Sequence, residues 1–448
     1  MEEEKVANLI GDMARSFGLP PLKRAAGVVT RRLPIPQPML LVGPGASGRL
    51  GQVIGDFAHR KILVVTDAVI ARLGLMRPLL DALDAAGTAY VVFDRVTPDA
   101  PIPAVEQGIA VFRKQACDAI VAFGGGSPMD AAKVIGLAAA NDKPPRELVG
   151  YFRGRHGPGP IYAVPTTAGT GSEVTVAAVI SDPAGHKKLV VADTRIVPRM
   201  AALDPCLMTG LPAPVTAATG MDALTHAIEA YIGQWSTGFS DRMALAAVGM
   251  IYRNLPLAFA DGQDLAAREK MALASTFAGL AFTRANVGNV HAIAHQLGGL
   301  YHTPHGLANA IMLGPVLRFC SEAAQARLAA LALHAGVGRQ DEPEAELARR
   351  FLDSVAALSR SLGIPQHLDA LREEDIPELA QAACHEADGN YPVPRVMSRE
   401  ACEALLREVL PEQSRPRRST REKATPAKAR TRATAGAAKR VPPVKFRR

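Results

Sequence analysis

Asp118-Ala119-Ile120-Val121-Ala122-Phe123-Gly124-Gly125-Gly126-Ser127-Pro128-Met129-Asp130-Ala131-Ala132-Lys133 is the stretch on which the fold turns. The apolar run up to Phe123 reads as a strand, and the Ala-rich run from Met129 reads as a helix. Three glycines between them let the backbone turn tightly and approach a ligand. Ser127 is placed to cap the helix, Pro128 suits its first position, and Asp130 completes a capping-box-like pattern. Free N–H groups and the helix dipole at such a turn form a site for a pyrophosphate. A plain strand-to-helix turn would use the same residues, and the pattern G-x-G-x-x-G is absent.

Working outward, Met39 to Gly43, Lys61 to Thr66, Ala89 to Phe93 and Ile161 to Val164 also read as strands, and Ala104 to Gln115 and Met129 to Ala140 as helices. This alternation predicts βαβ units and a mostly parallel sheet. After Pro212 the texture changes to amphipathic helical patterns, among them Asp241 to Asn254, Asp264 to Ala281 and Glu344 to Leu362. The expected fold is therefore an α/β nucleotide-binding half followed by an all-α half. The expected divisions are an N-terminal extension at 1–38, an α/β dinucleotide-binding domain at 39–212, an all-α metal-binding domain at 213–412 and a disordered basic tail at 413–448.

At 448 residues the chain exceeds one ordinary core, and 48% hydrophobic with 21% charged residues is a globular composition. The net charge of +8 is set by residues 415–448, where thirteen Lys and Arg face the single acid Glu422; the rest carries about −4. Such a tail either contacts a phosphate backbone without sequence preference or is simply solvated. Five scattered cysteines without a CxxC spacing argue against a disulfide framework and for a reducing compartment. The acidic Met-Glu-Glu-Glu start is unlike a secretory signal, and no apolar run of about 18 residues occurs, so a cytoplasmic protein away from membranes is expected.

Two further elements face nucleotide chemistry. Asp67, after the strand ending at Thr66, can accept from a ribose 2′-hydroxyl and repel a 2′-phosphate, which favours NAD over NADP; equally, it can cap the next helix. The loop Pro165-Thr166-Thr167-Ala168-Gly169-Thr170-Gly171-Ser172-Glu173-Val174-Thr175 offers hydroxyls for phosphate, ribose or amide, or is a plain polar loop. In the helical half, Asp222 and His226 lie four apart, on one face of a helix. His291, His295, His302 and His305 fall within fifteen residues. Imidazoles with a carboxylate suit a first-row divalent ion such as Fe(II) or Zn, whereas Mg and Ca prefer oxygen ligands.

Taken together, the Gly124–Lys133 turn, the Pro165–Thr175 loop and the Gly220–Tyr231 and His291–Gly306 segments resemble, in order, the iron-containing (group III) alcohol dehydrogenase family, over about residues 35–410. The resemblance implies the dehydroquinate synthase-like architecture, with an active site in the cleft between the two halves. It implies metal ligands Asp222, His226, His291 and His305, and His295 as a pocket residue near the nicotinamide. It places NAD contacts at Asp67, Gly125, Gly126, Ser127, Thr166, Thr167, Thr170 and Lys188. Homo-oligomers are the family's habit. Two departures stand out: Ile311-Met312-Leu313 continues Gly314-Pro315 where the family commonly has Pro-His, and Asn390-Tyr391-Pro392-Val393-Pro394-Arg395 stands where many members carry Asn-Pro-Arg.

The implied reaction is hydride transfer between NAD(H) and a primary alcohol or aldehyde, with the ion as Lewis acid. His295 is the candidate for proton exchange, because imidazole titrates near neutral pH. Alternatives on the same fold are a metal-dependent polyol or hydroxy-acid dehydrogenase and a metal-free maleylacetate-type reductase. The full ligand set argues against the last.

Overall fold

Ile62-Leu63-Val64-Val65 shows how the first half is built. All four residues are buried, with Leu63 and Val65 in one core cluster and Ile62 and Val64 in another. A strand apolar on both faces belongs in the middle of a sheet covered by helices on each side. In the computed structural model, which describes residues 34–185 and 187–411, this strand (β2, Ile62–Val65) pairs in parallel with β3 (Tyr90–Phe93) and β4 (Ala119–Gly124). β4 pairs with β6 (Ile161–Pro165), and β6 with β9 (Met200–Leu203), which pairs with β1 (Met39–Val42). The order β1-β9-β6-β4-β2-β3 makes a six-stranded parallel sheet.

Helices α1 (Ala46–Gly55), α2 (Ala68–Leu73), α3 (Arg77–Ala85), α4 (Ile102–Lys114) and α5 (Gly126–Asn141) connect these strands. Leu50 and Ile54 of α1 and Leu79 and Leu83 of α3 pack on one face of the sheet; Val105 and Ile109 of α4 and Val134 and Ile135 of α5 pack on the other. The chain runs from β2 outward to β3, then returns to place β4 on the opposite side of β2. Loops leaving the C-terminal ends of β2 and β4 diverge at such a reversal, the usual place for a ligand in an open α/β sheet. Asp67 follows β2 there, and Gly125 and Gly126 follow β4.

The parallel sheet agrees with expectation, but four strands come as additions. A small second sheet joins β5 (Gly150–Tyr151) to β8 (Lys187–Ala192), which pairs antiparallel with β7 (Ala177–Asp182). The half-exposed pattern of β7 and β8 gives a weak signal. β9 was missed because Met-Ala-Ala-Leu has little β-propensity and becomes a strand through burial between β1 and β6.

From α6 (Ala213–Ile232) onward the structure is helical: α7 (Gly238–Ala260), α8 (Leu265–Ala285), α9 (Asn289–Tyr301), α10 (His305–Cys320), α11 (Gln325–Ala335), α12 (Glu344–Ser361), α13 (Ile376–Asn390) and α14 (Arg399–Glu408). They share one core centred on α6, whose residues from Gly220 to Ile232 are all buried. Gly314 and Pro315 lie inside α10 and do not end it. Among the described residues α7 alone is long and apolar enough to cross a bilayer, but it packs between α6, α8 and α11 and holds Asp241 against Arg327. Residues 1–33 and 412–448, and with them most of the N-terminal extension and all of the basic tail expected from sequence, lie outside the described residues.

Candidate functional site

A helix buried on all sides that carries Asp222, His226 and Glu229 needs a reason for its polar stripe. The three residues follow i, i+4, i+7 and so share a face. α9 brings His291 in its first turn, and α10 begins at His305. Gly306 lets α10 press against α6: a Cβ there would lie 2.6 Å from the Ala218 carbonyl oxygen. One ligand atom from each of Asp222, His226, His291 and His305 lies within 4.8 Å of the others.

Burial keeps these imidazoles neutral. It lowers His226 to about 4 and His291 to about 3, and holds His305 well below its ordinary value, with neighbouring histidines adding to the effect on His305. Neutral imidazole is the form that donates a lone pair to a cation. The lone pairs converge on a single amide: Asn309 Nδ2 lies 2.7 Å from Asp222 Oδ1 and 3.2 Å from both His291 Nε2 and His305 Nε2. One NH2 group cannot satisfy that many acceptors, whereas a divalent ion with three nitrogens and one carboxylate oxygen fits the set.

Glu229 orients the group. Its Oε2 accepts from His291 Nδ1 at 2.6 Å and from Gly288 N at 2.8 Å, and its Oε1 accepts from Val290 N at 2.7 Å. Burial raises its acid to about 7 against the pull of those donors. The carboxylate thereby fixes the His291 tautomer, with Nε2 facing the quartet. Glu229 and Asn309 were not singled out from sequence, although each lies on the helical face of a candidate ligand: Glu229 is seven after Asp222, and Asn309 four after His305.

The glycine turn and the threonine loop meet. Thr166 N donates to Gly124 O at 3.0 Å, and a Cβ at Gly126 would lie 2.9 Å from Thr170 Cγ2, while one at Gly125 would lie 3.3 Å from Thr167 Oγ1. The capping expectations need correction. α5 starts two residues earlier, at Gly126 with Gly125 as its cap, Ser127 Oγ instead accepts from Asp99 N, and Asp130 reaches across to Ser172 Oγ and Val179 N. Lys133 is fully buried and donates to Ser172 Oγ, Thr175 O and Oγ1, and Ala177 O, tying the loop to α5; burial lowers it to about 8 against Asp130 and Glu173. Asp67 Oδ1 caps α2 by accepting from Val69 N and Ile70 N. Both capping bonds use the same oxygen, Oδ1.

The loop also reaches the helices. A Cβ at Gly171 would lie 2.7 Å from Gly279 Cα of α8, one at Gly169 would lie 2.8 Å from Thr219 Cβ of α6, and Thr276 donates to Glu173 at 2.6 Å. Lys188 lies between the Asp99 carboxylate, 2.9 Å away, and α9, where a Cβ at Gly298 would sit 3.2 Å from Nζ. Every residue expected to contact NAD thus lies on the turn, on the loop over it, after β2, or on the strand beside α9.

Two family patterns match: "Iron-containing alcohol dehydrogenase" over residues 37–205 and "Fe-containing alcohol dehydrogenase family, C-terminal" over residues 216–410. The chain belongs to the iron-containing alcohol dehydrogenase family. It is 43% identical to a 1,3-propanediol dehydrogenase of Citrobacter freundii, covering 78% of this chain and 90% of that one. It is 39% identical to an NAD-dependent methanol dehydrogenase of Bacillus methanolicus, over 77% and 91% respectively. A crystal structure of a 1,3-propanediol oxidoreductase superposes with a TM-score of 0.81 at 40% identity, covering 84% of this chain and 98% of that one.

Within this iron-containing alcohol dehydrogenase fold, His295 stands beside the quartet, its ring 5.3 Å from that of His305 and 6.0 Å from that of His291. Its Nδ1 lies 2.6 Å from Glu386 Oε1. Burial would raise the Glu386 acid, but His295, Tyr391 and Gln296 outweigh it and hold the carboxyl below its usual value, so Nδ1 donates. Nothing in the sequence marks Glu386, because its partner lies 91 residues away. His302 is a left-handed residue closing α9, outside the quartet.

Proposed function

We propose that the chain is a cytoplasmic, metal-dependent oxidoreductase that transfers hydride between NAD(H) and a small primary alcohol or aldehyde. The observation that carries this reading is the convergence of Asp222, His226, His291 and His305 within 4.8 Å, on helices that the Pro165–Thr175 loop joins to the glycine turn. The named relatives, a 1,3-propanediol dehydrogenase and a methanol dehydrogenase, support a short, polar substrate. Residues 39–212 are taken as the cofactor-binding domain and 213–412 as the metal-binding one. Oligomerisation through copies of this chain follows from the family's habit.

Asp222, His226, His291 and His305 would hold Fe(II), or Zn in its place, which when bound supplies Lewis acidity toward the substrate oxygen. Gly125, Gly126 and Ser127 present the α5 N-terminus to the pyrophosphate, with Thr166, Thr167 and Thr170 closing over it. Asp67 faces the ribose, where its charge disfavours a 2′-phosphate. Lys188 lies beside α9, where it orients the nicotinamide end. His295 donates through Nδ1 to Glu386, and Nε2 is the atom that exchanges the substrate proton with solvent.

Elemental analysis of anaerobically purified protein, followed by an NADH-oxidation screen over aldehydes of rising length and polarity, tests the reading. His291→Ala and His305→Ala should each lose metal and activity together; full activity in either variant without metal would overturn it. The complete quartet disfavours a metal-free reductase.

A further inference from the structure

Two carboxylate–imidazole pairs stand side by side at this site, and they are not equivalent. Glu229 holds His291 by Nδ1, and the other nitrogen of His291 belongs to the quartet. Glu386 holds His295 in the same way at the same 2.6 Å, but His295 lies outside the quartet, and its side chain is 10% exposed against 2% for His291. A second ring held by Nδ1, stacked on a candidate ligand and reached by solvent, has its Nε2 left for something that comes and goes.

The Glu386 carboxylate is itself fixed from three directions. Oε1 accepts from His295 Nδ1 and from Tyr391 OH at 2.5 Å, and Oε2 accepts from Gln296 Nε2 at 2.7 Å. Three donors occupy most of the lone-pair directions of one carboxylate. Its backbone is pinned too: Asn390 Nδ2 donates to Glu386 O, Asn286 Nδ2 to Asn390 O, and Gln234 N to Pro392 O. Tyr391, Pro392 and Val393 stand between Asn390 and Pro394-Arg395, where many members of the family carry Asn-Pro-Arg. The departure therefore falls where it delivers a buried phenol to the Glu386 carboxylate.

We propose that Glu386 is a positioning residue for the hydride-transfer reaction: anchored by Tyr391 and Gln296, it locks the His295 ring so that Nε2 faces the substrate. Tyr391 acts one step further out, by restraining Glu386. This rests on the proposed role of His295 and adds to it two residues that the ligand set and the cofactor loop do not involve. A carboxylate that merely clamps α13 to α9 would move stability and leave the coupling to His295 at zero.

The test uses full-length, metal-loaded protein, with propanal and NADH as substrates. Glu386→Ala should lower kcat roughly tenfold or more, with KM for NADH and metal content unchanged. Tyr391→Phe should give a smaller fall of the same kind. In a double-mutant cycle, Glu386→Ala with His295→Ala should be no slower than His295→Ala alone, because a residue acting through another has nothing left to act on. Independent, multiplicative effects in that cycle would overturn the proposal, as would unchanged kcat in both Glu386→Ala and Tyr391→Phe, or metal loss in Glu386→Ala. Should Glu386→Ala fail to fold, Glu386→Gln takes its place in the cycle, with the same two outcomes. If His295→Ala keeps full kcat, the proton role of His295 and this proposal fall together, while the metal reading is judged separately by His291→Ala and His305→Ala.

Discussion

Replacing Glu229 by Gln changes one atom and should weaken the metal site without rebuilding it. In the native protein the two carboxylate oxygens accept three hydrogen bonds, from His291 Nδ1 and Gly288 N on one oxygen and Val290 N on the other. Glutamine keeps one acceptor oxygen. The better orientation leaves that oxygen on His291 and Gly288 and turns the NH2 toward Val290 N, where donor meets donor. One buried N–H then loses its partner, at a cost of about 1–3 kcal/mol. Glu229→Ala strips all three donors and should cost several kcal/mol, a large part of the roughly 5–15 kcal/mol that holds a domain folded. Because the charge of the carboxylate makes the His291 ring a stronger donor, and a neutral amide oxygen does so less, Glu229→Gln should also weaken metal affinity by about 10–100-fold. Thermal unfolding with and without excess Zn, together with competition against a chromophoric chelator, reads both effects. Native affinity in Glu229→Gln, at a midpoint within about 1 °C of the unaltered protein, would refute the orientation argument.

Metal affinity should respond to pH in two separate ranges. Protons compete with a ligand only below its own pKa, so with His226 at about 4 and His291 at about 3 the steep loss belongs below pH about 4, not at the usual histidine value of 6.5. A shallow decline on passing below about 7 is expected from protonation of Glu229, and it should vanish in Glu229→Gln; chelator competition across pH 7.5–4 would count against this if the steep fall began near 6.5. Asp67→Ser keeps a helix cap but removes the charge, so the kcat/KM ratio of NADP to NAD should rise about tenfold or more with little change in stability; an unaltered ratio would remove Asp67 from the ribose site. Lys133→Met leaves Asp130 and Glu173 buried without their cation and the threonine loop without its anchor. It should cost about 3–5 kcal/mol in denaturant unfolding and raise KM for NAD, and a neutral effect on both would refute that role.

What the sequence by itself determined is what repeats locally. The apolar runs at 62–65 and 119–123, the glycine turn between strand and helix, and the Asp-x-x-x-His spacing each follow from a few neighbouring residues, because strand and helix periods and backbone freedom are short-range properties. They were enough for the parallel sheet, the helical half, the pair Asp222 and His226, and a cluster of four histidines, from which the family resemblance singled out His291 and His305. Tertiary structure decided the rest. β9 is a strand only because β1 and β6 lie on either side of it, and Lys133, whose run reads as an ordinary helix, becomes a buried anchor because the loop after β6 folds over α5. Glu229 and Asn309 join the site because α6, α9 and α10 pack closely enough for a carboxylate and an amide to reach across. Glu386 meets His295 across 91 residues of chain, and no local pattern encodes such a pairing, since the energy that selects it arises from the packing of α13 on α9.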